Sequence, residues 1–125
     1  MENKMTIKQV LSFGTIRKAN VERDKVWNPD KKLTPLFRAT ELAGEVGEAL
    51  NVVKKLEREK LGLVGSRSNK EHLAMELADI MICVDLLAIE YNIDMAEAYA
   101  AKFNSTSTQR NLNVFIGAGD CVVKE

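Results

Sequence analysis

Apolar residues recur at spacings of three and four along most of the chain, which is the period of an amphipathic helix. The pattern predicts four main helices, over about residues 6–24, 35–59, 70–91 and 95–104. No segment alternates long enough to demand a strand. The predicted fold class is therefore all-α, with the four main helices packed as a bundle.

Helix-capping residues stand at the predicted starts of the last three helices: Thr34, Asn69 and Asp94. Pro35 occupies the first position of the second helix, where proline is well tolerated. Glu97 lies three residues after the last cap and completes a capping box. The connections are predicted at residues 25–32 and 60–69, and Asn92 is predicted to end the third helix.

The chain has 125 residues and a mass of 14.0 kDa, which is the size of one domain. We expect the helical core to cover about residues 6–110 and a tail without periodicity to cover residues 111–125. Apolar residues make up 46% and charged residues 29%, an ordinary globular balance that excludes disorder over the whole chain.

The charge balance narrows the expected partners. Lys plus Arg and Asp plus Glu both number 18, so the net charge is zero. A nucleic-acid partner or a membrane surface is not expected, because both select for a basic excess. No leader peptide is expected, because the first ten residues contain no apolar run. No apolar run is long enough to span a membrane, and there are only two cysteines, Cys83 and Cys121. The expected compartment is the cytoplasm.

Acidic residues form a stripe on the second predicted helix. Glu41, Glu45 and Glu48 span about 60° of the helical circumference, since each residue turns the helix by about 100°. An aliphatic stripe of the same helix points elsewhere; it consists of Ala39, Ala43, Val46, Leu50 and Val53. From this helix alone, a solvated acidic face is one interpretation and a chemical site the other.

The third helix is apolar on nearly all sides and should be buried. Its stretch from residue 73 to residue 89 holds fourteen apolar residues, three acids and no Lys or Arg. Glu76 and Asp79 share a face of it, and Asp85 is the third acid. Burial of an unpaired carboxylate costs about several kcal/mol, because the charge loses its hydration and gains no partner. Either basic residues arrive from another element or a metal ion lies there.

An antiparallel arrangement of these two helices would bring Glu45 and Glu48 opposite Glu76 and Asp79. Four carboxylates without His or Cys make an all-oxygen site, which suits Mg²⁺, with Mn²⁺ as the second choice, and argues against zinc. The single histidine, His72, does not have the Glu-x-x-His spacing of di-iron bundles and is predicted to lie on the helix surface.

The spacing of these acids resembles that of a known family. The pair Glu45-x-x-Glu48, 27 further residues and the pair Glu76-x-x-Asp79 are similar to the signature of the MazG-like all-α NTP pyrophosphohydrolases. The segments GEVGEA, ELADIMICVDLLA and IDMAEAYAAKF resemble the dCTP-pyrophosphatase and phage MazG-like branch. The resemblance covers about residues 22–110, and the tail after Asn111 matches no family pattern.

The resemblance implies an enzyme that hydrolyses a nucleoside triphosphate, such as a dNTP or modified dNTP, to the monophosphate and pyrophosphate. Glu45, Glu48, Glu76 and Asp79 would hold Mg²⁺, and a glutamate of the first pair would act as base. The family also implies a homo-oligomer, either a dimer or a tetramer. Glu41 lies outside the motif and is interpreted as a neighbour of the metal ligands or a solvated residue.

Further residues are candidates for the substrate. Lys102 stands where the resembling enzymes carry a lysine, and Asn104, Arg110 and Lys55 are added as donors to the phosphates. The alternative for the cations at the end of the last helix is a favourable interaction with the helix dipole. Trp27, placed in the first loop, could stack on the nucleobase or cap the core.

Three functions remain open from the sequence. The first is a Mg²⁺-dependent pyrophosphohydrolase that controls nucleotide pools. The second is a catalytically weak bundle that binds nucleotide or regulates. The third is a structural oligomer whose carboxylates meet Lys or Arg of a partner chain.

Overall fold

The helices occupy most of the chain. The computed structural model describes Ile7 and residues 11–125. Within this part, the elements in chain order are α1 (Phe13–Trp27), α2 (Pro35–Lys60), α3 (Lys70–Glu90), α4 (Met95–Gln109), β1 (Val114–Gly117) and β2 (Asp120–Val123). The predicted all-α fold of four helices is confirmed, and no helix of the described part is long and apolar enough to cross a membrane.

The predicted caps are confirmed. The side chains of Thr34, Asn69 and Asp94 accept hydrogen bonds from backbone N–H groups three residues on, at 3.1, 2.8 and 3.0 Å. Each bond satisfies one of the free N–H groups of a first helical turn. Asn92 has a positive φ of 54° just after α3, as expected of a residue that ends a helix.

The predicted ends of two helices are wrong. The first helix continues past Asp24 to Trp27, because no helix breaker occurs before Asn28 and the proline after it. Its predicted start near Thr6 lies outside the described residues. The fourth helix continues past Asn104 to Gln109. Thr108 is accommodated there because its hydroxyl donates to the Asn104 carbonyl oxygen at 3.0 Å.

The tail forms a β-hairpin that the sequence did not predict. β1 and β2 are antiparallel, with Val114 opposite Val123 and Gly117 opposite Asp120. Gly119 in the two-residue turn has a φ of +77°, a conformation that glycine adopts without steric cost. The strands are only four residues long, too short for alternation to be visible in the sequence.

α2 and α3 are antiparallel, as predicted. Arg38, early in α2, contacts Glu90 at the end of α3, whereas Glu41, one turn later in α2, contacts Cys83, two turns earlier in α3. α3 also packs against α1, and α4 packs against α1 and β1. The acidic stripe of α2 thus faces α3, and it is the aliphatic stripe that points away from this contact.

The core of the single chain is small. The buried apolar residues of the described part are Ala49, Val52, Cys83 and Ala88. Of α3, which the sequence predicts to be buried, Cys83, Asp85 and Ala88 are buried, whereas Met75, Leu77 and Met81 are exposed on the single chain. Large apolar side chains lie exposed instead, among them Leu50 at 61% and Val53 at 44% on the aliphatic stripe of α2. The chain exposes 9880 Å², whereas a compact monomer of this mass exposes about 6,700 Å².

Candidate metal centre

Three acidic side chains meet between α2 and α3. One carboxylate oxygen from each of Glu45, Glu76 and Asp79 lies within 4.8 Å of the others. The antiparallel packing brings Glu45 to the α3 residues, and the spacing of three places Glu76 and Asp79 on one face of α3. The structure therefore brings together three of the four carboxylates that the sequence grouped.

Two oxygens of this cluster are buried without a partner. Within the described residues, Glu45 Oε2 and Glu76 Oε2 accept no hydrogen bond, and no Lys or Arg forms an ion pair with any of the three carboxylates. Buried polar atoms are rarely left unsatisfied, because desolvation is then uncompensated. A cation bound between the three carboxylates would compensate it, so these residues fit a metal ion.

The cluster disfavours the charged form of Glu45. Burial is the main cause of the raised pKa of Glu45, and the negative charges of Glu48, Asp79 and Glu76 add to it. A carboxyl group held among like charges is typical of metal and catalytic sites. Positive charge at the centre of the cluster would reverse this effect.

The donor set consists of carboxylate oxygens alone. This set suits a hard divalent cation such as Mg²⁺ or Mn²⁺ rather than zinc or copper. Such a cation in a protein keeps open positions for water or for phosphate oxygens. The arrangement can therefore bind and polarise a phosphate group.

The two other acids of the acidic stripe of α2 lie at the edge of the cluster. Glu48 is exposed and does not belong to the group of three, although its charge reaches Glu45. Glu41 contacts the Cys83 thiol, with Sγ and Oε1 3.8 Å apart. Burial, aided by the charges of Glu41 and Glu45, raises the pKa of the Cys83 thiol to about 11, so the thiol stays protonated.

Asp85, the third acid of the stretch from residue 73 to residue 89, is neutralised by an arginine instead. Asp85 accepts two hydrogen bonds from Arg17 Nε, at 3.1 and 3.2 Å, and one from Arg17 Nη2 at 2.9 Å. Asn20 Nδ2 donates to it at 3.0 Å. The sequence allowed either a basic residue from another element or a metal ion to neutralise these acids. For Asp85 it is an arginine from α1. Glu76 and Asp79 have no such partner in the described part.

A histidine contact on Glu76 was missed by the sequence prediction. His72 Nε2 lies 3.0 Å from Glu76 Oε1, and His72 Nδ1 lies 2.9 Å from the Ser68 hydroxyl. The histidine side chain is half exposed, so its predicted surface position is confirmed. The spacing of four between His72 and Glu76 was the signal that could have revealed the contact.

Trp27 lies in the last turn of α1 and not in a loop, which corrects the prediction. Its side chain is 76% exposed, and the Arg23 guanidinium lies 4.7 Å from the ring centroid. Residues at the end of α1 and the start of α2 enclose a cavity of about 290 Å³, lined by Val21, Asp24, Lys25, Asn28, Pro29, Lys31, Arg38, Leu86 and Ile89.

The other candidate substrate residues lie apart from the carboxylates. Lys55 is half-buried on α2, two turns beyond Glu48 and on the same face. Lys102 lines a groove on the outer side of α4, and Arg110 follows the end of that helix. Asn104 binds the backbone of Ile116, with its Nδ2 donating at 2.9 Å and its Oδ1 accepting at 2.8 Å. Its amide therefore fastens β1 to α4.

Among known proteins, a phage protein is similar to this chain. The chain is 33% identical over 79 residues to the Gene 37 protein of Mycobacterium phage L5, and the matched region covers 63% of this chain and 68% of that protein. No protein-family model matches the chain, and no solved structure matches it. The chain belongs to the same family as the phage Gene 37 protein.

Proposed function

We propose that the protein is a MazG-like, Mg²⁺-dependent nucleoside triphosphate pyrophosphohydrolase. The observation that carries the proposal is the pair of buried, unpartnered oxygens of Glu45 and Glu76 where three carboxylates meet. The resemblance in sequence supplies the reaction. Its product would be a monophosphate and pyrophosphate, and its role the control of nucleotide pools in the cytoplasm.

In this proposal Glu45, Glu76 and Asp79 hold the cation, and Glu48 completes the acidic group. When bound, a divalent cation neutralises phosphate oxygens and lowers the pKa of water. The exposed carboxylate of Glu48 is suited to take the proton from the attacking water. A new bond forms between the water oxygen and the α-phosphorus, the α–β anhydride bond breaks, and pyrophosphate leaves with the electron pair.

The nucleobase would bind at the other end of the same helix pair. Arg38 lines the cavity between the end of α1 and the start of α2, and it shares a face of α2 with Glu45, seven residues on. Seven residues of helix span about 10 Å, comparable to the reach of a nucleotide from base to phosphates. The Arg23 guanidinium lies over one face of the Trp27 ring. Trp27 itself is largely exposed, so a nucleobase could stack on its other face.

The active form in this proposal is a homo-oligomer, a dimer or a tetramer. The exposed aliphatic stripe of α2 and the excess of accessible surface over a compact monomer support it. Lys102 and Arg110 belong to the end of the chain that packs on α1 and β1. Their contact with phosphate remains a prediction from the resemblance.

Release of pyrophosphate from a panel of canonical and modified dNTPs tests the reaction. We expect Mg²⁺-dependent turnover that Glu45→Gln lowers by more than about 100-fold. Removal of a residue that only hydrogen-bonds to a metal ligand already lowers activity by about 10–100-fold. Glu41→Gln is the matched control, because Glu41 lies on the same helix and outside the cluster. Equal losses in the two variants would contradict the proposed ligand set.

Melting temperatures measured with and without Mg²⁺ and nucleotide, together with this assay, separate the alternatives. A protein that melts at higher temperature with Mg²⁺ and nucleotide, yet releases no pyrophosphate, would be a nucleotide-binding bundle. A protein that responds to neither would be a structural oligomer.

For the base, Trp27→Ala should raise KM or change the ranking of dCTP, dUTP and dATP more than it lowers kcat.

A further inference from the structure

We propose that His72, held by Ser68, is a positioning residue that orients Glu76 for the cation. This inference rests on the metal centre of the proposed function and adds a residue outside its four carboxylates. Three contacts at the start of α3 carry it. Ser68 Oγ meets His72 Nδ1 at 2.9 Å, His72 Nε2 meets Glu76 Oε1 at 3.0 Å, and Glu76 Oε2 is buried and unpartnered.

The direction of these hydrogen bonds follows from the chemistry of the groups. The ionised carboxylate of Glu76 can only accept, so His72 Nε2 carries the hydrogen. In a neutral imidazole, Nδ1 is then the acceptor, and the Ser68 hydroxyl donates to it. Ser68 therefore selects the tautomer that presents a donor to Glu76.

The contact gives the two oxygens of Glu76 different surroundings. Oε1 is occupied by the imidazole, which leaves the buried Oε2 without a hydrogen bond and free to bind a cation. Without the imidazole the carboxylate is free to rotate, and ordering it would reduce the free energy of cation binding. Hydrogen bonds to ligating carboxylates typically contribute about 10–100-fold to metal affinity, and we expect an effect of this size from His72.

The start of α3 is built to hold the histidine in place. Asn69 caps the helix, because its Oδ1 accepts a hydrogen bond from the His72 backbone N–H at 2.8 Å. The preceding loop is fastened to α2, since Arg58 Nη1 donates to the Ser66 carbonyl oxygen at 2.7 Å. A half-exposed imidazole thus has its backbone and its side chain fixed.

Titration of the full-length, untagged protein with Mn²⁺, followed by the EPR signal of the free ion, tests the proposal. His72→Ala should weaken Mn²⁺ binding by about 10–100-fold. His72→Gln should stay within about 3-fold of the natural protein, because the glutamine amide reaches Glu76 across one helical turn. Ser68→Ala should fall between the two.

Lys70→Ala is the control for general effects on the first turn of α3. It removes a positive charge, a change that does not oppose cation binding. Unaltered Mn²⁺ affinity in His72→Ala, or equal losses in His72→Ala and His72→Gln, would overturn the positioning role and leave the metal centre standing. Absence of Mn²⁺ binding in the natural protein would instead overturn the metal centre, and with it this inference.

A second measurement needs no metal. The chain contains a single histidine, so the ¹⁵N spectrum of its imidazole is assigned without mutagenesis. In mildly alkaline buffer we expect the proton on Nε2 and a hydrogen-bonded, unprotonated Nδ1. Ser68→Ala should shift the Nδ1 signal. The opposite tautomer would overturn the proposal, because Nε2 would then have no hydrogen to donate to Glu76.

Discussion

At the scale of single residues, Glu45 carries an electrostatic conflict that the proposed cation would relieve. Its carboxylate is drawn among three other acids, and its pKa is raised by burial and by their charges. An acidic residue whose charged form is destabilised by the fold is typical of a site that binds a ligand. This conflict gives a measurable signature.

The first prediction concerns stability and pH without metal. A raised folded-state pKa means that the charge of Glu45 opposes folding above the ordinary value of 4.5. Glu45→Gln in EDTA should therefore melt at a higher temperature than the natural protein at about pH 7. The difference should vanish below 4.5, where both folded and unfolded states carry the proton.

Calorimetry across this pH range, with and without Mg²⁺, checks the prediction. Saturating Mg²⁺ should reverse the order, because the natural protein then gains binding energy that the variant lacks. A natural protein that melts above Glu45→Gln in EDTA at neutral pH would contradict the predicted sign.

At the scale of elements, α1 is joined to α3 by a buried ion pair. Asp85 is only 4% exposed and receives Arg17 and Asn20 from α1. Arg17→Met should lower the free energy of unfolding by about 3–5 kcal/mol, since it leaves a buried charge without its partner. Lys25→Met is the control, because the Glu22–Lys25 pair is more than half exposed on both sides.

Urea unfolding at one protein concentration measures both variants. The control should change the free energy of unfolding by no more than about 0.5 kcal/mol. Similar small losses in the two variants would show that the pair between α1 and α3 is not needed for their packing.

The hairpin depends on one side chain of α4. Asn104 satisfies both the N–H and the carbonyl oxygen of Ile116. Asn104→Ala should reduce the hydrogen-exchange protection of the Ile116 amide by about 10-fold, the equivalent of roughly 1–2 kcal/mol for a lost partly buried bond. Asn104→Asp keeps the acceptor and should preserve that protection.

This prediction also bears on the role first expected for Asn104. Loss of turnover together with intact protection at Ile116 would favour contact with substrate, as the sequence suggested. Loss of protection with normal turnover would make Asn104 a purely structural residue.

At the scale of the whole molecule, many large apolar side chains of the described residues are exposed, as expected if the chain forms the proposed oligomer. The chain exposes roughly 3,000 Å² more than a compact protein of its mass, and large homo-oligomer interfaces bury surface of this order. We expect light scattering at micromolar concentration to give at least a dimer. The aliphatic stripe of α2 is the face that we expect at the interface.

Leu50→Arg should shift the mass toward the monomer, because it places a charge in the apolar stripe. Asn51→Arg is its control, since Asn51 is the next residue of α2 and is also exposed. A monomeric mass for the natural protein, or equal dissociation in both variants, would contradict this assignment.

The helices and the carboxylate pairs could be predicted from the sequence alone, because both depend on local rules. Caps such as Thr34 and Asp94 act on backbone groups three residues away, and Glu76 and Asp79 share a face by helical periodicity alone. The late ends of α1 and α4 were missed because the polar residues near them are compatible with both helix and turn.

Which acids are neutralised depends on how the helices pack against one another. Asp85 and Glu76 look alike in the sequence, yet α1 brings an arginine to the first, and the second lies beside Glu45 and Asp79. The fastening of the hairpin by Asn104 was equally invisible. Such contacts depend on how separate elements pack in three dimensions, and the spacing of residues along one helix carries no information about that.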